Sequence, residues 1–224
     1  AAKFNEEVKE KSASATKTPG VGTGFNSGIN LGTAPAETVT QTETSSVRNI
    51  AFNDLGSVQW AVNAISYLYQ KGVLSGRSET VFDPSAYVSR EEFVKLIVCV
   101  FGLEGGGKTF DDVDADAWYA PYIDAASGCS VINGISEKAF GVGLAVTRQD
   151  MAVIIYNTLK YAGCSEFEAA EDFADADGIE KYAKEAVSAL RSAEIVTGTG
   201  EGTFNPLSNA TRSEAACIIY NALN

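Results

Sequence analysis

The sequence predicts an all-α protein, a pseudo-threefold bundle of three helix–loop–helix repeats preceded by an extended N-terminal arm. Residues 82–92 (FDPSAYVSREE) recur as residues 140–150 (FGVGLAVTRQD) and 204–214 (FNPLSNATRSE), each with an Arg eight residues after the opening Phe. The segments on either side of these stretches carry apolar residues at spacings of three and four, which is helical periodicity. Residues 1–48 are of a different kind, dominated by Gly, Thr, Ser and Ala with few large apolar side chains. A unit built three times, with one cation kept in place, points to a repeated binding surface rather than a single catalytic centre.

The arm comes first. Its composition gives it no core of its own. Residues 38–44 (TVTQTET) alternate β-favouring residues and are suited to adding a strand to an edge, in this chain or in a neighbouring copy. The arm is therefore a candidate for self-association. The repeats follow as residues 49–106, 107–168 and 169–224. Each opens with Phe-x-Asp, in Phe52 and Asp54, Phe110 and Asp112, and Phe173 and Asp175. The three Asp have a role available as N-caps of the next helix, and the alternative is that they accept hydrogen bonds from sugar hydroxyls. That helix carries Trp60, Ala61, Ala64, Ile65 and Leu68 on one face, and Trp118 and Tyr182 open the corresponding segments of the other copies. Helical spacing reads these aromatics as core, whereas an aromatic near an Arg and an Asp also suits the stacking of a pyranose ring.

The turn that follows holds Gly76, Gly134 or Gly198, read as a helix terminator, and Pro84 or Pro206 precedes the next helix in two copies. The segments after each Arg, beginning Phe93, Met151 and Ala215, are nearly apolar all round and are expected in the interior. One helix–loop–helix unit is too small to bury its own apolar face. The three should pack about a shared axis with the Arg-bearing helices innermost.

Ser89, Thr147 and Thr211 are followed three residues later by Glu92, Asp150 and Glu214, a capping-box pattern at each Arg-bearing helix. Arg90, Arg148 and Arg212 then fall at the first helical position, where the helix dipole disfavours a cation. Two readings stand: a guanidinium fork held out to a ligand carboxylate, or an ion pair with an acidic residue of a neighbouring repeat.

Formal net charge is −12 and no basic run occurs, which excludes nucleic acid as a partner. No apolar run approaches the ~18–20 residues of a membrane span. The first residues, Ala1-Ala2, are compatible with a mature end left by cleavage after small residues. With no His in the chain and no C-x-x-C pair among Cys99, Cys129, Cys164 and Cys217, nothing calls for a metal or a cofactor. Core thiols and disulfides are both open. The cluster Asp111, Asp112, Asp114 and Asp116 lacks the spacing of a calcium loop and reads as a solvated turn. The absence of His also removes the usual general base, and no nucleophile setting is recognisable, so the chain is expected not to be an enzyme.

Taken together, Phe-x-Asp, Trp, a Gly loop ending in Phe, and Thr-Arg-x-Glu resemble three tandem surface-layer homology motifs from about residue 49 to 224. That resemblance implies three grooves between adjacent copies and export to the bacterial cell surface. It further implies non-covalent binding of cell-wall polysaccharide, often pyruvylated, through Arg90, Arg148 and Arg212 against carboxylate. Asp54, Asp112 and Asp175 would face hydroxyls, Trp60, Trp118 and Tyr182 would stack, and Gly76, Gly134 and Gly198 would shape the loops. The alternative is the subunit of a self-assembling extracellular fibre or lattice, docked through the arm. Ser89, Gln149, Asp150, the Gly141-Val-Gly143 loop and Tyr182 depart from the pattern, so the second and third grooves are expected to differ from the first.

Overall fold

Among the described residues six α-helices form in the expected order: α1 (Val62–Gln70), α2 (Arg90–Phe101), α3 (Ala120–Gly128), α4 (Arg148–Tyr161), α5 (Lys184–Ser192) and α6 (Arg212–Leu223). The structure is a computed structural model that describes residues 50–224 except Ser165 and Ala169. The arm of residues 1–48, with the strand and the self-association expected of it, lies outside the described residues.

Helices α2, α4 and α6 start where Ser89, Thr147 and Thr211, in extended conformation, accept hydrogen bonds from the backbone N–H of Glu92, Asp150 and Glu214. The capping box is complete at α2 and α6, satisfying two backbone donors at each end. At α4 the shorter Asp150 is directed elsewhere, to Arg90 and Tyr182.

The helices α1, α3 and α5 end differently from the sequence expectation. Gly76, Gly134 and Gly198 do not terminate them. The left-handed residue that turns the chain out of each helix is Gly72, Ser130 or Glu194, four positions earlier. Gly76, Gly134 and Gly198 instead let the following loop close on itself. A Cβ on Gly134 would stand 2.2 Å from the carbonyl oxygen of Ala139, and Gly198 is itself left-handed.

Helix pairing crosses the repeat boundaries. α1 packs on α6, α3 on α2 and α5 on α4, so each first helix lies against the second helix of the preceding repeat, in cyclic order. The inner helices α2, α4 and α6 supply Phe93, Ile97, Ile155, Leu159 and Ile219, all fully buried.

Three isolated antiparallel bridges, Tyr87 with Thr211, Ser89 with Ala145 and Thr147 with Asn209, close the ring of repeats. The Val88 N–H donates to the Ala210 carbonyl at 3.1 Å, Ala210 to Val146 at 2.9 Å, and Val146 to Val88 at 3.0 Å. The N–H groups of Arg90, Arg148 and Arg212 continue the pattern, donating to the carbonyls of Leu144, Ser208 and Ala86. These first-turn donors have no intrahelical acceptor, and the neighbouring repeat supplies one. Val88, Val146 and Ala210 are correspondingly buried.

Glu194 carries φ 59° where the first repeat uses Gly72. Left-handed backbone costs a residue with a Cβ about 1–2 kcal/mol, part of which is offset by the greater chain entropy of Gly. Glu194→Gly is expected to raise stability by about 0.5–1 kcal/mol, read as a higher urea midpoint at unchanged slope.

Candidate functional site

Each repeat presents a loop held by its own Asp. Asp54 accepts the N–H of Phe82 and Asp83, Asp112 those of Phe140, Gly141 and Val142, and Asp175 those of Phe204 and Asn205, at 2.7–3.1 Å. The backbone turns left-handed at Asp83, Gly141 and Asn205, residue types that tolerate it. The Gly141 loop therefore follows the same course as the other two. None of the three Asp caps the following helix, as the capping expectation required, because their oxygens are committed to a loop about thirty residues downstream. The same commitment argues against a primary role in reading sugar hydroxyls. Burial works against each charge, but the backbone donors outweigh it and hold Asp54, Asp112 and Asp175 below the usual carboxylate value.

The guanidinium groups link one repeat to the next. Arg90 donates through Nε to the Phe140 carbonyl at 3.0 Å and through Nη2 to the Asn133 carbonyl at 3.1 Å, and its Nη1 pairs with Asp150 at 3.0 Å. Arg148 repeats this with the Phe204 carbonyl and Glu214. Arg212 closes the circle onto the Phe82 and Ser75 carbonyls. Each guanidinium also lies over the ring of the same Phe, 5.1 Å, 5.2 Å and 4.6 Å from the centroids of Phe140, Phe204 and Phe82. Beneath those rings stand Phe110, Phe173 and Phe52. The motif residues Phe, Phe and Arg are thus in contact in series at each junction, with the ring pair stacked for Phe173 and Phe204 and tilted at the other two.

This corrects the picture of three cations free for a ligand. Arg90 and Arg148 are buried in ion pairs between repeats, the second of the two readings. Arg212 has no such carboxylate partner among the described residues. An Arg with three of its five N–H groups engaged still has donors left, and all three guanidinium groups line open grooves.

The grooves are assembled from all three repeats at once. One, with a volume of about 560 Å³, joins Arg148 and Glu214 to the Gly198 loop and Trp60. A second, about 510 Å³, joins Arg90 and Asp150 to the Gly134 loop and Tyr182. The third, about 230 Å³, joins Arg212 to the Gly76 loop and Trp118. The aromatics are not core. Trp60, Trp118 and Tyr182 are 60%, 53% and 59% exposed, because they precede α1, α3 and α5 and stand outside the apolar stripes of those helices. Tyr182 alone is fastened: its hydroxyl donates to Asp150 at 2.7 Å and accepts from Gln149 at 2.9 Å. Burial, then the hydrogen bond to Asp150, raises its pKa. Gln149 was legible in the sequence only as a departure from the motif, and its hydrogen bond to another repeat gave no sequence signal.

Of the four cysteines only Cys217 lines one of these three grooves. Cys99 is exposed, Cys129 and Cys164 are buried, and Cys217 lines the Trp60 groove with its thiol pushed up to about 11 by burial and by Glu214. That protonation state does not favour a nucleophile.

Residues 51–94, 109–152 and 172–216 match the S-layer homology domain. The chain belongs to the S-layer homology family and is a protein of the bacterial cell surface. It is 28% identical over 174 residues to an endoglucanase of Bacillus sp. (strain KSM-635), covering 77% of this chain and 18% of that one. Exoglucanase XynX of Acetivibrio thermocellus is 31% identical over 180 residues, 79% of this chain and 16% of its own. The surface-layer 125 kDa protein of Lysinibacillus sphaericus is 28% identical over 176 residues, 76% of this chain and 15% of its own. The chain spans less than a fifth of the length of each of these relatives. No described helix is long and apolar enough to cross a membrane.

The depressed carboxyls set an acid response. A group whose folded pKa lies below its unfolded value of 3.8 adds stability at higher pH and loses it as pH falls through the folded value. Thermal midpoints should be flat from neutrality to about pH 5 and fall below about pH 4. Asp175→Asn should lower the neutral-pH midpoint and flatten that fall, as followed by circular dichroism.

Proposed function

We propose that this domain holds its polypeptide non-covalently to bacterial cell-wall polysaccharide through the three grooves. The observation that carries this reading is the meeting, in each groove, of an exposed aromatic face, a guanidinium and a glycine-shaped loop contributed by three different repeats. An aromatic face takes the apolar side of a pyranose, and the spare N–H groups of an Arg take hydroxyls or a carboxylate, such as a pyruvate ketal. Three grooves on one rigid body favour a polymer. Simultaneous engagement of several sugars turns weak single contacts into strong attachment.

The role is adhesion rather than catalysis. The likeness to two glycan-degrading enzymes and to a surface-layer protein, over a small share of each, supports an anchoring module common to proteins of different activity. Asp54, Asp112 and Asp175 act here by fixing the loops, and the glycines by letting those loops lie flat beneath a ligand.

Substitution of Arg90 or Arg148 would disturb the junctions between repeats, so the exposed aromatics give the cleaner test. Trp60→Ala and Trp118→Ala are each expected to weaken binding to purified wall polysaccharide by about tenfold, with little change in thermal midpoint, since a buried stacking contact is worth about 1–2 kcal/mol. Undiminished binding by the double variant in a sedimentation assay would refute the assignment.

A further inference from the structure

We propose that Gln149 is a positioning residue of the Tyr182 groove, acting through the tyrosine ring, an inference that rests on the polysaccharide-binding reading above. Gln149 follows the junction Arg148 on α4 and is only 3% exposed. Its side-chain amide reaches into the third repeat at two points. Nε2 donates to the Tyr182 hydroxyl at 2.9 Å, and Oε1 accepts the Glu180 N–H at 3.1 Å. One buried amide thus holds both the tip of the aromatic and the main chain just before it.

The corresponding residues of the other repeats, Glu91 and Ser213, are also buried but are engaged differently. Glu91 accepts the Gly143 N–H at 3.1 Å, and the Ser213 hydroxyl donates to the Pro84 carbonyl at 2.9 Å. Both side chains are committed to the loop of the next repeat. Gln149 makes that contact with its main-chain N–H alone, which donates to the Pro206 carbonyl at 3.0 Å. Its side chain is left for the aromatic. Among the described residues neither Glu91 nor Ser213 bonds to Trp118 or Trp60.

Two hydrogen bonds from different directions fix the phenol oxygen. The bond to Asp150 lies in solvent, where water competes with it, and Asp150 is itself held by Arg90. The buried Gln149 amide supplies the second restraint. With its hydroxyl engaged on both sides, Tyr182 presents the face of its ring to the groove. A ring free to rotate would lose that freedom on stacking against a pyranose, whereas here the freedom is already lost on folding. Gln149 therefore presets the stacking surface of this groove.

The test uses the full chain with isotope-labelled aromatic rings and, as probe, soluble fragments of purified wall polysaccharide, read on the NMR signals of residue 182, Trp60 and Trp118. In the parent chain the Tyr182 ring should relax as a rigid group, and in Gln149→Leu as a mobile one on the ps–ns timescale. Gln149→Glu retains an acceptor for the Glu180 N–H but no donor to Tyr182, and should free the ring in the same way. In both variants the fragments should act at residue 182 only at about fivefold higher concentration, with Trp60 and Trp118 unchanged. Tyr182→Phe, at an exposed position, should show the same loss. Adding Gln149→Leu to it should cause no further loss, because the two residues act as one unit.

A ring equally rigid in both Gln149 variants, unchanged action at residue 182, a loss shared by Trp60 and Trp118, or losses that add in the double variant would each overturn the inference. Fragments that shift Trp60 and Trp118 but not residue 182 would overturn it alone and leave the anchoring role intact. Fragments that shift none of the three would defeat the anchoring role, and this inference with it.

Discussion

Closure of the ring at Val88, Val146 and Ala210 is the constraint on which the other features depend. Three backbone hydrogen bonds run head to tail around the ring, each from the N–H of one repeat to a carbonyl of the repeat before it in cyclic order. The bond between Val88 and Ala210 joins the first repeat to the last, so the arrangement is complete only when both ends of the described chain meet. The helices carry the same logic, since every α1-type helix finds its apolar partner across a boundary rather than within its own repeat. A single repeat would leave both its backbone donors and its apolar face unsatisfied.

The junction Arg gains its meaning from this closure. At the first position of a helix a cation is disfavoured by the dipole, by about 0.3–1 kcal/mol. That cost is offset by a neighbouring carbonyl, an aromatic ring and, at two of the three junctions, a carboxylate. The same side chain therefore ties one repeat to the next and reaches the floor of the groove formed between them. One group thus serves cohesion and lines the groove, so in the proposed function a groove is not altered at its Arg without loosening the bundle.

Approximate symmetry leaves room for specialisation. The three grooves share loop geometry and an exposed aromatic, yet differ in charge balance and in how firmly the aromatic is held. Tyr182 is fixed by Asp150 and Gln149, whereas Trp118 stands near Lys95 and Trp60 shares its groove with Arg148 and Glu214. Small substitutions at corresponding positions thus change the charge balance and the aromatic of a groove without touching the Phe and Arg beneath it.

The repeat, the helix starts at Ser89, Thr147 and Thr211, and the apolar inner helices were legible in the sequence because each rests on residues close together in the chain. The family followed from the same local motifs. The roles of Asp54, Asp112 and Asp175 were not legible, because their partners lie about thirty residues away on a loop whose course local pattern does not specify. Nor was the exposure of Trp60 and Trp118, since helical spacing alone cannot say that the helix begins after them. Sequence by itself determined which residues recur and what local structure they form, through short-range hydrogen bonding and periodic burial. Only the tertiary structure decided which guanidinium meets which carboxylate, because that pairing is set by cyclic contact between distant repeats.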